Sequence, residues 1–224
     1  MKKLLTMVLI SLPMLLYSNI SAEGFNDNYF SVGYLNSSGN DVKHKSARSG
    51  SLNGESFKDG NGIVLAIGKH LPDLPISIEL EYMNLKEDFV GFTTKDNPFV
   101  EKGGGSLKRS GVFLTARRHF DSTGIATPHI GFGVGWQKDK YNVKNLNGQV
   151  SINDSDNGFS YGFLLGVAFD LNQSIKLNLD YRFRIINEST VTSVQCGSLN
   201  CFNFTDNHDK YKLSTLALSI SKYF

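Results

Sequence analysis

Between residues 130 and 136 the chain alternates without a break: Ile130, Phe132, Val134 and Trp136 are large and apolar, and Gly131, Gly133 and Gly135 separate them. Successive side chains of an extended strand point to opposite faces, so this stretch has one greasy face and one nearly bare face. The same period recurs in seven other stretches. Residues 29–35 set Phe30, Val32 and Tyr34 against Ser31 and Gly33, and residues 62–70 set Ile63, Leu65 and Ile67 against Val64, Ala66 and Gly68. In residues 76–83, Ile76, Ile78, Leu80 and Tyr82 face one way and Ser77, Glu79, Glu81 and Met83 the other. Residues 109–120 oppose Val112, Leu114, Ala116 and Phe120 to Thr115, Arg117 and His119. Residues 159–170 alternate Phe, Tyr, Leu and Val with mostly small residues and end on Asp170; residues 175–185 place Lys176, Asn178, Asp180, Arg182 and Arg184 between apolar neighbours. The last stretch, 210–224, sets Leu216, Leu218 and Ile220 against Thr215, Ala217, Ser219 and Ser221 and ends on Phe224.

Eight strands therefore follow one another, and their connections alternate in length. Polar, Gly-, Asn- and Ser-rich segments at 36–61, 86–108, 143–157 and 186–209 alternate with tight turns at 71–75, 121–124 and 172–174. A meandering barrel in a membrane predicts this asymmetry, with short periplasmic turns, four long extracellular loops and both termini inside. Strands of about nine to fourteen residues suffice for a tilted crossing. A soluble lipocalin-like barrel has the same strand count. There, however, the Phe, Tyr, Trp and Leu of all eight strands would have to fit inside, and they would overcrowd a small barrel. Turned outward, they form a lipid-facing band. The fold expected is all-β, an eight-stranded antiparallel up-and-down transmembrane barrel.

Residues 1–22 carry Lys2 and Lys3, then an apolar run, then small residues up to Ala22. That is the pattern of a secretory signal peptide cut after Ala22, which leaves a barrel domain at 23–224. The apolar run is short for a membrane anchor, which needs about twenty residues. Removing the leader takes two lysines from the 23 basic residues and none of the 21 acidic ones, so the exported chain is neutral. Neutrality and export both argue against a nucleic-acid partner. Cys196 and Cys201, the only cysteines, have no histidine at metal-ligand spacing and are expected to form a disulfide in an oxidising compartment. No metal or cofactor site is expected.

Residues 127–136, Thr-Pro-His-Ile-Gly-Phe-Gly-Val-Gly-Trp, resemble a strand of the small OmpA/OmpX-like barrels and related bacterial surface antigens, as do residues 162–168 and the Asp180-Tyr181-Arg182-Phe183 segment. The resemblance spans the expected mature chain. It implies residence in the bacterial outer membrane, contact with its lipid and lipopolysaccharide, and folding by the barrel-assembly machinery. Leu216, Leu218, Ile220 and Phe224 resemble that machinery's C-terminal signal, from which Lys222 departs where a hydrophobic residue is usual. The cell-wall-binding domain that follows the barrel in some relatives is not expected after Phe224.

Chemistry on such a scaffold would sit in the lumen or on the loops. Glu79, Glu81, Arg117 and His119 face inward on neighbouring strands, Asp170 and Lys176 flank a turn, and Asp180, Arg182 and Arg184 follow. Paired carboxylates serve acid–base catalysis in some enzymes. A lumen ion-pair network is the reading adopted, because a buried charge without a partner costs several kcal/mol. It fills the interior and leaves no wide pore. Outer-membrane lipid A deacylases carry a His-x-Ser-Asn motif; residues 44–47 here read His-Lys-Ser-Ala and lack the Asn. Omptin-like proteases need ten strands and paired acids, and His208 with Asp209 makes only part of that set. The expectation is a surface-exposed structural or adhesive antigen without catalysis, its loops open to a host or environmental ligand. A narrow gated channel is the alternative, and an enzyme a more distant one.

Overall fold

The computed structural model describes residues 27–38, 41–43, 52–71, 74–94, 101–120, 124–146, 150–187, 189–196, 201–208 and 210–224. Residues 1–26, with the expected signal peptide, lie outside the described residues, as does the 44–47 motif. Twelve strands are present: β1 Asn28–Ser37, β2 Asp41–Lys43, β3 Leu52–Phe57, β4 Gly60–His70, β5 Ile76–Thr94, β6 Glu101–His119, β7 Ala126–Asn145, β8 Val150–Asn172, β9 Ile175–Ile186, β10 Ser189–Cys196, β11 Cys201–His208 and β12 Tyr211–Tyr223.

Eight of them close a ring in the order β1-β4-β5-β6-β7-β8-β9-β12 and back to β1, each pair antiparallel. Closure is what a lipid environment demands, since hydrocarbon offers no partner to an unpaired strand edge. The seam forms between the first and last strands, in register from Tyr29 opposite Tyr223 to Ser37 opposite Thr215. The terminal Phe224 amide donates to the Asn28 carbonyl at 2.9 Å.

The faces sort as the alternation requires. Ile67, Leu80, Leu114, Phe132, Trp136, Phe163, Leu165, Leu179 and Leu218 all point outward and are exposed. Ser77, Glu79, Glu81, Arg117, Ser160, Asp180, Arg182, Ala217 and Ser219 are buried inside. The interior is narrow enough to exclude side chains at fixed places. A Cβ added to Gly166 would lie 2.6 Å from His129 Nε2 and nearer still to Asp180 Oδ1.

The polar connections expected as loops are largely strand. β5 and β6 run on to Thr94 and Glu101, and β7 and β8 to Asn145 and Val150. β2 and β3 form a hairpin in the first connection, with β3 paired on β5; β10 and β11 form one in the last, with β10 paired on β8. The inward face explains the difference. Leu85, Phe89, Leu107, Tyr141, Val143 and Ile152 keep the period and are buried, while the outward face turns to Asn84, Lys86, Lys108, Lys138, Lys140 and Asn142. Beyond the lipid a strand's outer face meets water, so the wall continues while its outside becomes polar.

Candidate functional site

The interior is built in storeys, read along the inward face of β5 as Ser77, Glu79, Glu81, Met83, Leu85, Glu87 and Phe89, all buried. Neighbouring inward positions on one strand rise by about 6.7 Å, so charged and apolar layers alternate up the barrel.

The lower charged layer joins β1, β5, β6, β7 and β9. Arg117 donates from Nε to Glu79 Oε2 at 2.9 Å and from Nη1 to Asp180 Oδ2 at 3.1 Å. The Tyr29 hydroxyl donates to the other Glu79 oxygen at 2.5 Å. Asp180 also takes Arg182 Nη2 at 2.9 Å and lies 2.8 Å from His129 Nε2. Glu81 accepts from both Arg182 and Arg184, and the Arg184 guanidinium stacks 3.9 Å from the centre of the Phe113 ring. Glu79, Glu81 and Asp180 thus face Arg117, Arg182 and Arg184, and formal charge cancels within the layer. Such balance makes burial tolerable, since an isolated ion in a low-dielectric interior costs several kcal/mol.

Below it, at the mouth where the first and last strands meet and the short turns lie, is a cluster of rings. The His70 and Tyr223 rings stack with centroids 5.6 Å apart, His119 lies 4.7 Å from His70 and 5.5 Å from His129, and Tyr29 packs at 4.8 Å on Tyr223. Ser77 Oγ holds His119 Nε2 at 3.0 Å.

The upper charged layer centres on Arg109, which is fully buried. It donates to Glu87 Oε2 at 2.8 Å, Asp139 Oδ2 at 2.7 Å and the Tyr211 hydroxyl at 2.7 Å. The Tyr211 hydroxyl also donates to Asp139, Gln137 donates to Asp139 Oδ1 at 2.8 Å, and Ser37 donates to Glu87 Oε1 at 2.8 Å. Four strands, β5, β6, β7 and β12, meet at this one guanidinium, and β1 joins them through Ser37 and Glu87. Above it Phe57, Phe89, Phe92 and Tyr141 form an apolar layer, with Phe57 and Phe89 edge-on at 5.6 Å and Phe89 and Phe92 at 4.6 Å.

Of the residues singled out from sequence, Glu79, Glu81, Arg117, Asp180, Arg182 and Arg184 meet in one layer. His119 stands among the rings beneath, bonded to Ser77. Asp170 and Lys176 do not join either; they pair with each other at 3.1 Å beside the β8–β9 turn, where Asp170 is 42 % exposed. Cys196 and Cys201 are bonded to each other at the β10–β11 hairpin end, 3.9 Å apart at Cα. Leu216, Leu218 and Phe224 are exposed on the outer wall and Ile220 is half-buried there. Sequence reasoning missed the second layer. Glu87 fell in an assumed loop, and Asp139 and Tyr211 gained no face because the polar outer residues beside them hid the period. Among the described residues no group of acids, histidines or cysteines could hold a metal ion, and no helix is long and apolar enough to cross a membrane.

A closed ring with lipophilic outer and charged inner faces has a counterpart in sequence: the profile of the outer membrane protein beta-barrel domain matches residues 7–224. The chain belongs to that family. Like the other outer membrane beta-barrel domains, it resides in the bacterial outer membrane, with its wall in the bilayer. Its fold is similar to that of Neisserial surface protein A, at 13% identity and a TM-score of 0.57, covering 90% of this chain and 100% of that one. OprG of Pseudomonas aeruginosa is alike at 12% identity and TM-score 0.59, over 89% of this chain and 98% of that one. The outer membrane protease OmpT of Escherichia coli aligns at 8% identity and TM-score 0.52, over 91% and 99%. At such identities the likeness is one of fold, and this fold carries surface proteins and a protease alike. No curated protein matches the chain significantly in sequence.

Proposed function

We propose that this outer membrane beta-barrel is a surface-exposed structural or adhesive protein without catalysis. The observation that carries the reading is the filled interior. Two layers of ion pairs and hydrogen bonds, separated and capped by packed apolar side chains, occupy the barrel from Tyr29 to Phe92, so its working surface is the outside. The four long connections, two of them carrying an added hairpin (β2–β3 and β10–β11), extend beyond the lipid band and present that surface. The acids of the two charged layers, Glu79, Glu81, Glu87, Asp139 and Asp180, lie buried in the barrel's interior, engaged with guanidinium groups, where a substrate would have to displace a partner to reach them. The alternative, a narrow gated channel, draws on the same charged lumen: a file of acids and guanidiniums could pass small ions if the layers part.

The test compares bacteria displaying the intact barrel with bacteria displaying a barrel whose β2–β3 and β10–β11 hairpins are replaced by short turns. Adhesion to immobilised host matrix should fall to background on truncation while outer-membrane levels hold. Equal adhesion by both would remove the adhesive reading.

A further inference from the structure

The adhesive reading leaves unused the file of imidazoles at the mouth ringed by the short turns. His70, His119 and His129 stand there in a row, with ring centroids 4.7 Å and 5.5 Å apart. Register brings them together. His119 of β6 is directly opposite His129 of β7, and His70 of β4 is directly opposite Ser77 of β5, whose hydroxyl meets His119. The outward neighbours of His70 and His119 on their own strands, Lys69 and Arg118, are charged and exposed. The two rings therefore sit where the wall leaves the apolar band and protons have access.

The file is tied to the seam. His70 Nε2 lies 3.2 Å from the Tyr223 hydroxyl, and the two rings stack. Tyr223 of β12 is directly opposite Tyr29 of β1. The Tyr29 ring lies over Gly68, where an added Cβ would sit 2.6 Å from its hydroxyl oxygen, and that hydroxyl donates to Glu79. Two cations face the imidazoles: Arg117 of β6 and Lys176 of β9, whose Nζ is 5.3 Å from the centre of the Tyr223 ring. The acids on those sides are already engaged. Glu79 of β5 and Asp180 of β9 hold Arg117, and Asp170 of β8 holds Lys176. Asp27, just ahead of β1, is the acid that acts on His70.

We propose that this mouth is an acid-released latch: uncharged His70 and His119 hold the end of the β1–β12 seam shut, and when both are charged the rings part and the seam end opens. An imidazole is uncharged above its ordinary pKa of about 6.5, and it can then stack and share a proton with a hydroxyl. Two imidazoliums with centroids 4.7 Å apart, beside Arg117 and Lys176, repel one another where little water is left to screen them. The closed mouth therefore accepts at most one of the two protons that an opened mouth takes up. The state that binds more protons gains as pH falls, so opening is favoured below about pH 6.5. One withheld proton shifts the opening equilibrium about thirtyfold between about pH 7.5 and about pH 5, because a free imidazole goes from about one-tenth charged to almost fully charged. The charged layers above stay in place, so the latch uncovers the mouth without opening a path through the barrel. It is independent of adhesion and is read on the purified protein.

The experiment follows amide hydrogen exchange by mass spectrometry in the refolded, detergent-solubilised barrel at about pH 7.5 and about pH 5, with rates corrected for the intrinsic effect of pH. Protection of the seam-end segments 28–32 and 220–224 should fall about thirtyfold at the lower pH, while the mid-wall segment 130–136 should change less than about twofold. His70→Gln and His119→Gln together keep a hydrogen-bonding group at each place but cannot charge, and should abolish the fall. His119→Gln alone should remove most of it, since His70 then meets Asp27 and no opposing imidazolium. That single variant serves if the double one does not refold, which heat-modifiable gel migration checks. His208→Gln, at the end of β11, should respond like the intact barrel. Equal protection of the intact seam end at both pH values, a full response surviving in the histidine variants of the mouth, or an even loss along the whole wall would overturn the latch. A flat response in His208→Gln would overturn its assignment to this mouth.

Discussion

Arg117→Met tests whether the lower charged layer holds the barrel together as a balanced unit. Arg117 is 6 % exposed and spans Glu79 at 2.8 Å and Asp180 at 3.1 Å. Methionine keeps much of the volume and removes the charge. Glu79 then retains only the Tyr29 hydroxyl among its described partners, and three carboxylates face two guanidiniums. Removing one partner of a buried pair costs about 3–5 kcal/mol. Asp180 still has Arg182 and His129, which places the expected loss at the lower end, about 3 kcal/mol. Adding Glu79→Gln restores neutrality and leaves Tyr29 an oxygen to donate to. The double variant should therefore be no less stable than Arg117→Met, giving a coupling of about 2 kcal/mol against additivity. The assay is equilibrium urea unfolding in phospholipid vesicles, followed by fluorescence of Trp136, the only tryptophan and a lipid-facing one at 66 % exposure. A loss under about 0.5 kcal/mol, the range of ordinary surface substitutions, or strict additivity in the double variant, would refute the reasoning.

Three further outcomes are expected. Leu165→Arg places a guanidinium near the lipid midplane and should cost about 2–4 kcal/mol in vesicle refolding, whereas Ser155→Arg, outward on the same strand above the lipid, should be nearly neutral; equal penalties would reverse the assignment of the band. Replacing Cys196 and Cys201 with serine should speed proteolytic cleavage of the β10–β11 hairpin while shifting barrel stability by less than about 0.5 kcal/mol, because the disulfide lies outside the closed ring; a cooperative loss of the whole barrel would contradict this. Deleting Phe224 removes one seam hydrogen bond, at 2.9 Å, and an exposed ring, so refolding in detergent should hardly change. If Leu216, Leu218, Ile220 and Phe224 form an assembly signal, outer-membrane levels in cells should fall severalfold, and undiminished levels would remove that role.

The barrel was legible because lipid enforces a two-residue period on the outer face wherever a strand crosses it. Ile130 to Trp136 and Leu216 to Ile220 carry that period in a form that glycine and serine make unmistakable. The wall above the lipid was not legible in the same way. There, Lys86, Lys108 and Lys140 face water and the period survives only on the inner side, in Leu85, Phe89, Tyr141 and Val143. The lower layer could be anticipated because Glu79, Glu81, Arg117, Asp180, Arg182 and Arg184 sit among small residues on strands that already had an inside. Which acid meets which guanidinium depends on strand stagger, which sequence does not state. The Arg109 layer stayed hidden because four of its members, Glu87, Arg109, Asp139 and Tyr211, lie where polar residues occupy both faces.

A surface-borne function requires an interior that is filled in the folded protein. Planar-bilayer recording of the refolded, untagged barrel in symmetric potassium chloride addresses this most directly. The layered interior predicts a quiet baseline, without discrete steps, across the voltages at which the bilayer itself remains intact. Regular, reproducible conductance steps would show that the layers part, contradict the filled interior, and move the protein to the gated-channel reading.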